Sequence, residues 1–148
     1  MLKILIPVDG STHALLAVHH ALRLVGSGLK ARFVVANVQE AANLYELVVA
    51  HDPAVLQQVS DAAGRDLVRP AMALLSAAGQ QVEALVVSGD PAQVLAELVE
   101  SQGCDSVFMS TRGGGLRAAV LGSVSQDMVQ RSPVPVTLVK VPEDAQPD

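Results

Sequence analysis

Short apolar runs alternate along this chain with longer segments in which apolar residues recur every three or four positions. Leu2 to Val8 is nearly all apolar and predicts a buried strand, which Asp9-Gly10 ends. Ser11 is a good N-cap for a helix whose inner face would carry Leu15, Val18, Leu22 and Val25, with Gly26 and Gly28 closing it. Arg32 to Val38 predicts the second strand, and a polar stretch without clear period follows from Gln39 to His51. Asp52-Pro53 looks like an N-cap followed by proline at the first helical position, opening a helix with Leu56, Val59, Ala63 and Leu67 inward. Pro70 lacks a backbone donor, which predicts a kink or break before the pattern resumes through Met72, Leu74 and Leu75 and stops at Gly79. Gln81 to Val87 is the third predicted strand. Gly89-Asp90-Pro91 then repeats the cap-and-proline device before an inner face of Val94, Leu95, Leu98 and Val99. Ser106 to Ser110 predicts a fourth strand. A glycine-rich loop, Thr111 to Gly122, leads into a last helix from Ser123 to Arg131, and Ser123 with Gln126 fits a capping box. Pro135 to Val141 predicts the final strand.

Strands alternating with helices predict an α/β fold: a parallel sheet with helices on both faces, since each right-handed crossover must cover the sheet. The expected organisation is one domain over residues 1–142 with a frayed acidic tail at 143–148. Composition narrows the partners. Half of the 148 residues are hydrophobic, yet only two Phe, one Tyr and no Trp are present, so the core is built from Ala, Val and Leu. With so few rings to stack bases on, and a formal net charge of −5, no nucleic-acid partner is expected. Cys104 is the only cysteine, which excludes an intramolecular disulfide. No apolar run approaches the roughly 20 residues of a membrane span, and no signal-peptide pattern is present. A cytoplasmic protein without membrane partner is the expectation.

Candidate chemistry gathers at two strand ends, where open doubly wound sheets bind ligands. One is Asp9-Gly10-Ser11. The other runs from Ser110 through Arg112 and Gly113-Gly114-Gly115 to Gly122-Ser123. Consecutive glycines let backbone amides converge on an anion, and a helix starting at Ser123 adds the N–H groups of Ser123 and Val124 and the positive end of its dipole. Ser123 and Ser125 offer hydroxyls, and Arg112 and Arg117 offer charge. From spacing alone this loop reads either as a phosphate cradle or as a flexible connection, being neither a Walker A loop nor the dinucleotide fingerprint. From the residues alone, Asp9 reads first as a cap for the helix at Ser11 or as an Asx-turn with Gly10. His13, His19 and His20 lack the spacing of a helical metal pair, so no metal site is expected, and no catalytic base stands out.

Val8-Asp9-Gly10-Ser11, Gly89-Asp90-Pro91 and the stretch from Met109 to Lys140 together resemble the universal stress protein family across essentially the whole chain. The resemblance implies a five-stranded parallel sheet of order 3-2-1-4-5, a Rossmann-like fold of the adenine nucleotide alpha hydrolase kind. It also implies a homodimer through the C-terminal strand. In the family's ATP-binding branch the loop after strand four reads Gly-x2-Gly-x9-Gly-Ser/Thr, which maps onto Gly113, Gly122 and Ser123. The strand-one aspartate that meets the nucleoside maps onto Asp9, and the strand-two valine that meets adenine through its backbone maps onto Val38. Two departures are visible. The first motif glycine is Ser110, whose Cβ restricts φ and narrows the approach of a phosphate, so that Ser110→Gly is expected to strengthen binding or leave it unchanged. Eight residues, Gly114 to Leu121, separate Gly113 from Gly122 where the family has nine.

The expected function is therefore a dimeric stress-response module that binds ATP, with magnesium, or another adenine nucleotide, with weak ATPase activity at most. The alternative is a dimeric interaction protein of the same fold that binds no nucleotide.

Overall fold

A computed structural model describes residues 1–40, 53–111 and 122–140. Five parallel strands form one sheet: β1 (Leu2–Pro7), β2 (Ala31–Gln39), β3 (Val82–Ser88), β4 (Ser106–Ser110) and β5 (Val136–Val139), ordered β3-β2-β1-β4-β5. Four described helices connect them: α1 (Thr12–Gly26), α2 (Pro53–Ala77), α3 (Pro91–Ser101) and α4 (Ser123–Arg131).

The chain winds outward from β1 to β3, then returns to the far side of β1 to place β4 and β5. With right-handed crossovers, this reversal sends the helices before it and the helices after it to opposite faces. Alternation along the strands then separates two cores. Ile4, Ile6, Phe33 and Val35 face α1 and α2, whereas Leu5, Val34, Val107 and Met109 face α3 and α4. Both sets are buried, as expected of a parallel sheet covered on two faces.

The face of α3 is the expected one, with Leu95, Leu98 and Val99 buried and Val94 packed against them, whereas those of α1 and α2 depart from the expected ones by about one position. On α1 the buried residues are His13, Ala14, Ala17, Val18 and Ala21, while Leu15, Leu22 and Val25 pack around them partly exposed. On α2 the buried line is Ser60, Gly64, Val68, Ala71 and Leu75; Val59 and Ala63 are exposed and Leu67 is half-buried. The side chain of Leu56 lies outside the described residues. Small residues win these positions because the helices sit close to the sheet. A Cβ on Gly64 would overlap Val86 Cγ1 of β3.

The break expected at Pro70 is absent, since α2 is one helix from Pro53 to Ala77. Proline removes the bond to the Asp66 carbonyl, but Asp66 and Pro70 are both on the exposed side, where water can take it. Val68, Ala71 and Leu75 hold both halves of the helix to the same core. Cys104 precedes β4 as a free buried thiol, packed as a small hydrophobe.

Candidate functional site

At the carboxyl end of β1 the chain turns on Gly10, whose φ of +86° suits glycine. Asp9 Oδ1 accepts from the Ser11 backbone N–H at 2.9 Å and from Ser11 Oγ at 2.6 Å. Ser11 Oγ in turn accepts from the Ala14 N–H at 3.2 Å as the N-cap of α1. The Asx-turn reading of Asp9 is thus correct for Oδ1, and the turn also fixes the carboxylate at the strand end.

Next to it, β2 runs beyond β1. The β1–β2 ladder ends at Pro7 and Ala36, whereas β2 continues beside β3 to Gln39 and Ser88. Val8 N–H still donates to Ala36 O at 2.9 Å. The return bond that would lengthen the ladder, from Val38 N–H to Val8 O, is not made. The Asn37 side chain donates from Nδ2 to that carbonyl instead, at 3.0 Å. Backbone groups of successive strand residues point to opposite sides. Because Gln39 O accepts from Gly89 on the β3 side, the N–H and C=O of Val38 face the side where β1 has stopped.

The ends of the glycine-rich loop are tied together at its base. Thr111 N–H donates to Val139 O at 3.0 Å, and Gly122 N–H donates to Thr111 O at 2.7 Å. Ser125 Oγ donates to Ser110 O at 2.9 Å, fixing the first turn of α4 over the end of β4. The capping box is not formed. Gly122 is the N-cap, Ser123 is the first helical residue, and the cap residue has no side chain to bond the helix start, whereas Ser11 and Asp90 cap α1 and α3 with theirs. The Gln126 N–H bonds Gly122 O, as the glycine cap requires. Ser110 is only 7 % exposed, and its Oγ has no hydrogen-bond partner among the described residues.

These elements enclose a cleft of about 400 Å³ across the carboxyl ends of β1, β2 and β4. Its location is the point where the winding direction reverses. Asp9, Val38, Ser110 and the Gly122–Ser125 segment all line it. Arg112 and Gly113 lie outside the described residues, as does Arg117. Asn37 and Glu40 line the cleft as well and were missed from the sequence; a lone amide near the end of an otherwise apolar strand was the available signal for Asn37. Electrostatically the cleft is two-ended. The carboxylates of Asp9 and Glu40 belong to the β1 and β2 ends, and the positive end of the α4 dipole lies opposite. Among the described residues no cluster of three His, Cys, Asp or Glu could hold a metal ion. Burial raises the pKa of the Cys104 thiol, and Cys104 is not among the residues lining the cleft.

A family model described as "Universal stress protein family" matches residues 1–140. The chain belongs to the universal stress protein family. The universal stress protein MJ0531 of Methanocaldococcus jannaschii is 25% identical over 142 residues, covering 95% of this chain and 83% of the relative. A universal stress protein family structure from Arabidopsis thaliana with AMP bound has a TM-score of 0.73 and 20% identity, covering 100% of this chain and 97% of the other. A universal stress protein in complex with cAMP has a TM-score of 0.64 and 23% identity, covering 94% and 96%. The strand order expected from the family resemblance is the order found. Among the described residues no helix is long and apolar enough to cross a membrane.

Proposed function

We propose that the cleft binds an adenine nucleotide, with the base against the β2 overhang, the sugar at Asp9 and the phosphate at the N-terminus of α4. The observation that carries this reading is the Ser110 hydroxyl. A buried hydroxyl without a partner costs about 1–3 kcal/mol, and such groups in native folds call for a specific explanation. Ser110 lines the cleft beside a helix start whose glycine cap offers its amides no side-chain bond, which is where an anionic oxygen is best received. The residues present therefore fit a nucleotide. AMP and cAMP in the two related folds support the same ligand class.

ATP with magnesium is the fuller form of this reading, with Arg112 and Gly113 adding to the phosphate end, Ser123, Val124 and Ser125 supplying amides and Ser123 a hydroxyl, since the Gly122 N–H and the Ser125 hydroxyl already bond Thr111 O and Ser110 O. Bound nucleotide would serve as a signal carried by a stress-response module. Mass spectrometry of small molecules released on denaturation, with calorimetry using AMP and magnesium-ATP, tests it. Saturable adenylate binding is expected; no binding of either nucleotide would refute the reading.

A second proposal concerns assembly. β5 is an edge strand of partly exposed apolar residues, and an unpaired edge invites another strand. Two copies would pair antiparallel through Val136–Val139 about a two-fold axis. Light scattering should return a dimer mass that truncation at Pro133 reduces to that of a monomer; a monomer at micromolar concentration before truncation refutes it.

A further inference from the structure

The end of the β1–β2 ladder has a chemical consequence for the base. We infer that Asn37 is a positioning residue that frees the Val38 N–H for base recognition by taking the Val8 carbonyl in its place. The inference rests on the adenylate reading above and specifies how that site selects its base.

Asn37 is 3 % exposed and lies on the face of β2 that carries Phe33 and Val35. Gln39, two residues on and so on the same face, donates from Nε2 to Asn37 Oδ1 at 2.6 Å. That contact sets the orientation of the amide: Oδ1 is the acceptor from Gln39, so Nδ2 is the group that reaches Val8 O. Regular parallel pairing would have Val8 donate to Ala36 O and accept from Val38 N–H. The first bond is present and the second is replaced. Val38, flanked by the two hydrogen-bonded amides, keeps its N–H and C=O directed to the open side of β2, and Val38 lines the cleft.

A backbone N–H and C=O on one edge form a donor–acceptor pair. Adenine answers it with the N1 acceptor and the N6 amino donor. Hypoxanthine presents the reverse, an N1–H donor and an O6 acceptor. The geometry therefore points to a cleft that takes AMP in preference to IMP, through a discrimination that depends on Asn37. In Asn37→Leu, which matches the side chain in size but cannot donate, the Val8 carbonyl recaptures the Val38 N–H and the ladder grows by one bridge.

Two measurements test this. In native protein without ligand, the Val38 amide should exchange with solvent as an unprotected group and become protected on saturation with AMP; in Asn37→Leu it should be protected without ligand. The ratio of IMP to AMP dissociation constants should fall about 3- to 10-fold in Asn37→Leu, the worth of one ordinary hydrogen bond. Asn37→Gln, which keeps an amide, should recover part of that ratio. A purely structural role would weaken both nucleotides together and leave the ratio unmoved. AMP binding by a native chain whose Val38 amide is already protected, or an unmoved ratio in Asn37→Leu, overturns this inference alone. A native chain that binds no adenylate overturns the functional reading and this inference with it.

Discussion

Replacing Ser110 by alanine should move stability and binding in opposite directions. The hydroxyl is buried and has no partner among the described residues, so the ligand-free protein carries its desolvation cost without a compensating bond. The backbone of Ser110 is already committed: its carbonyl accepts from Ser125 Oγ, and alanine leaves that bond intact. Removing Oγ should therefore stabilise the ligand-free protein by about 1 kcal/mol, the low end for an unsatisfied buried group. For a domain of this size that raises Tm by roughly 3 °C. On the proposed binding mode the same hydroxyl donates to a charged phosphate oxygen, an interaction of about 1.5–3 kcal/mol, so Ser110→Ala should weaken AMP about 10- to 100-fold. Thermal unfolding by circular dichroism and calorimetry with AMP read the two effects separately. A lower Tm would show that the hydroxyl has a structural partner, and unchanged AMP affinity would remove it from the phosphate site. The same argument revises what the glycine of the family motif suggested. Among the described residues no non-glycine residue has positive φ, so Ser110 does not need the freedom of glycine. Ser110→Gly should weaken binding by losing the hydroxyl, while its added chain entropy, about 0.5–1 kcal/mol, offsets the stability that alanine would give.

Three further substitutions check the packing and the turn. Gly64→Ala should destabilise by about 1–2 kcal/mol despite a helix-propensity gain of about 1 kcal/mol, because the new methyl overlaps Val86; in a Val86→Ala background the same change should cost little or stabilise, as a denaturant double-mutant cycle will show. Pro70→Ala should stabilise by about 1–3 kcal/mol, since α2 already runs through this exposed position and gains a hydrogen bond; a lower urea midpoint would show that the proline itself shapes the helix. Asp9→Ala should weaken adenosine more than inorganic triphosphate, measured by competition, and equal loss of both would place its effect on the fold alone.

The alternation of apolar runs with helical periods made the α/β architecture legible, because buried parallel strands and amphipathic helices differ in period. Strand order was not in that pattern and came through the family resemblance. The helix faces were misread where small residues make the contact. Ala14, Ala17 and Ala21 on α1, and Ser60 and Gly64 on α2, lie closest to the sheet, and a reading weighted toward Leu and Val passes over them. The break expected at Pro70 was misread for a different reason: local propensity does not contain the tertiary contacts of Val68, Ala71 and Leu75 that hold the helix on either side. Of the cleft residues, Asp9, Ser110 and Gly122–Ser125 were legible because they stand at strand ends or a helix start. Val38 looks like any strand valine and was found only by resemblance. The role of Asn37 was invisible, since it depends on where the neighbouring strand stops.

That stopping point connects the two ends of the cleft. A sheet that reverses direction beside β1 leaves β1 flanked by β2 and β4, which enter from opposite arms of the winding. On the β2 side the turn at Asp9-Gly10 ends pairing early and exposes the strand edge that the proposed binding mode gives to the base. On the β4 side the chain leaves at Ser110 and returns at Gly122 into α4, exposing the N–H groups of a helix start. The reversal at β1 brings the open edge and the start of α4 to one space. Each end also depends on a side chain bonded to backbone across the gap: Asn37 to Val8 O on one side, Ser125 to Ser110 O on the other. Both bonds lie at the cleft and neither joins the two cores, so loss of either should leave both cores in place.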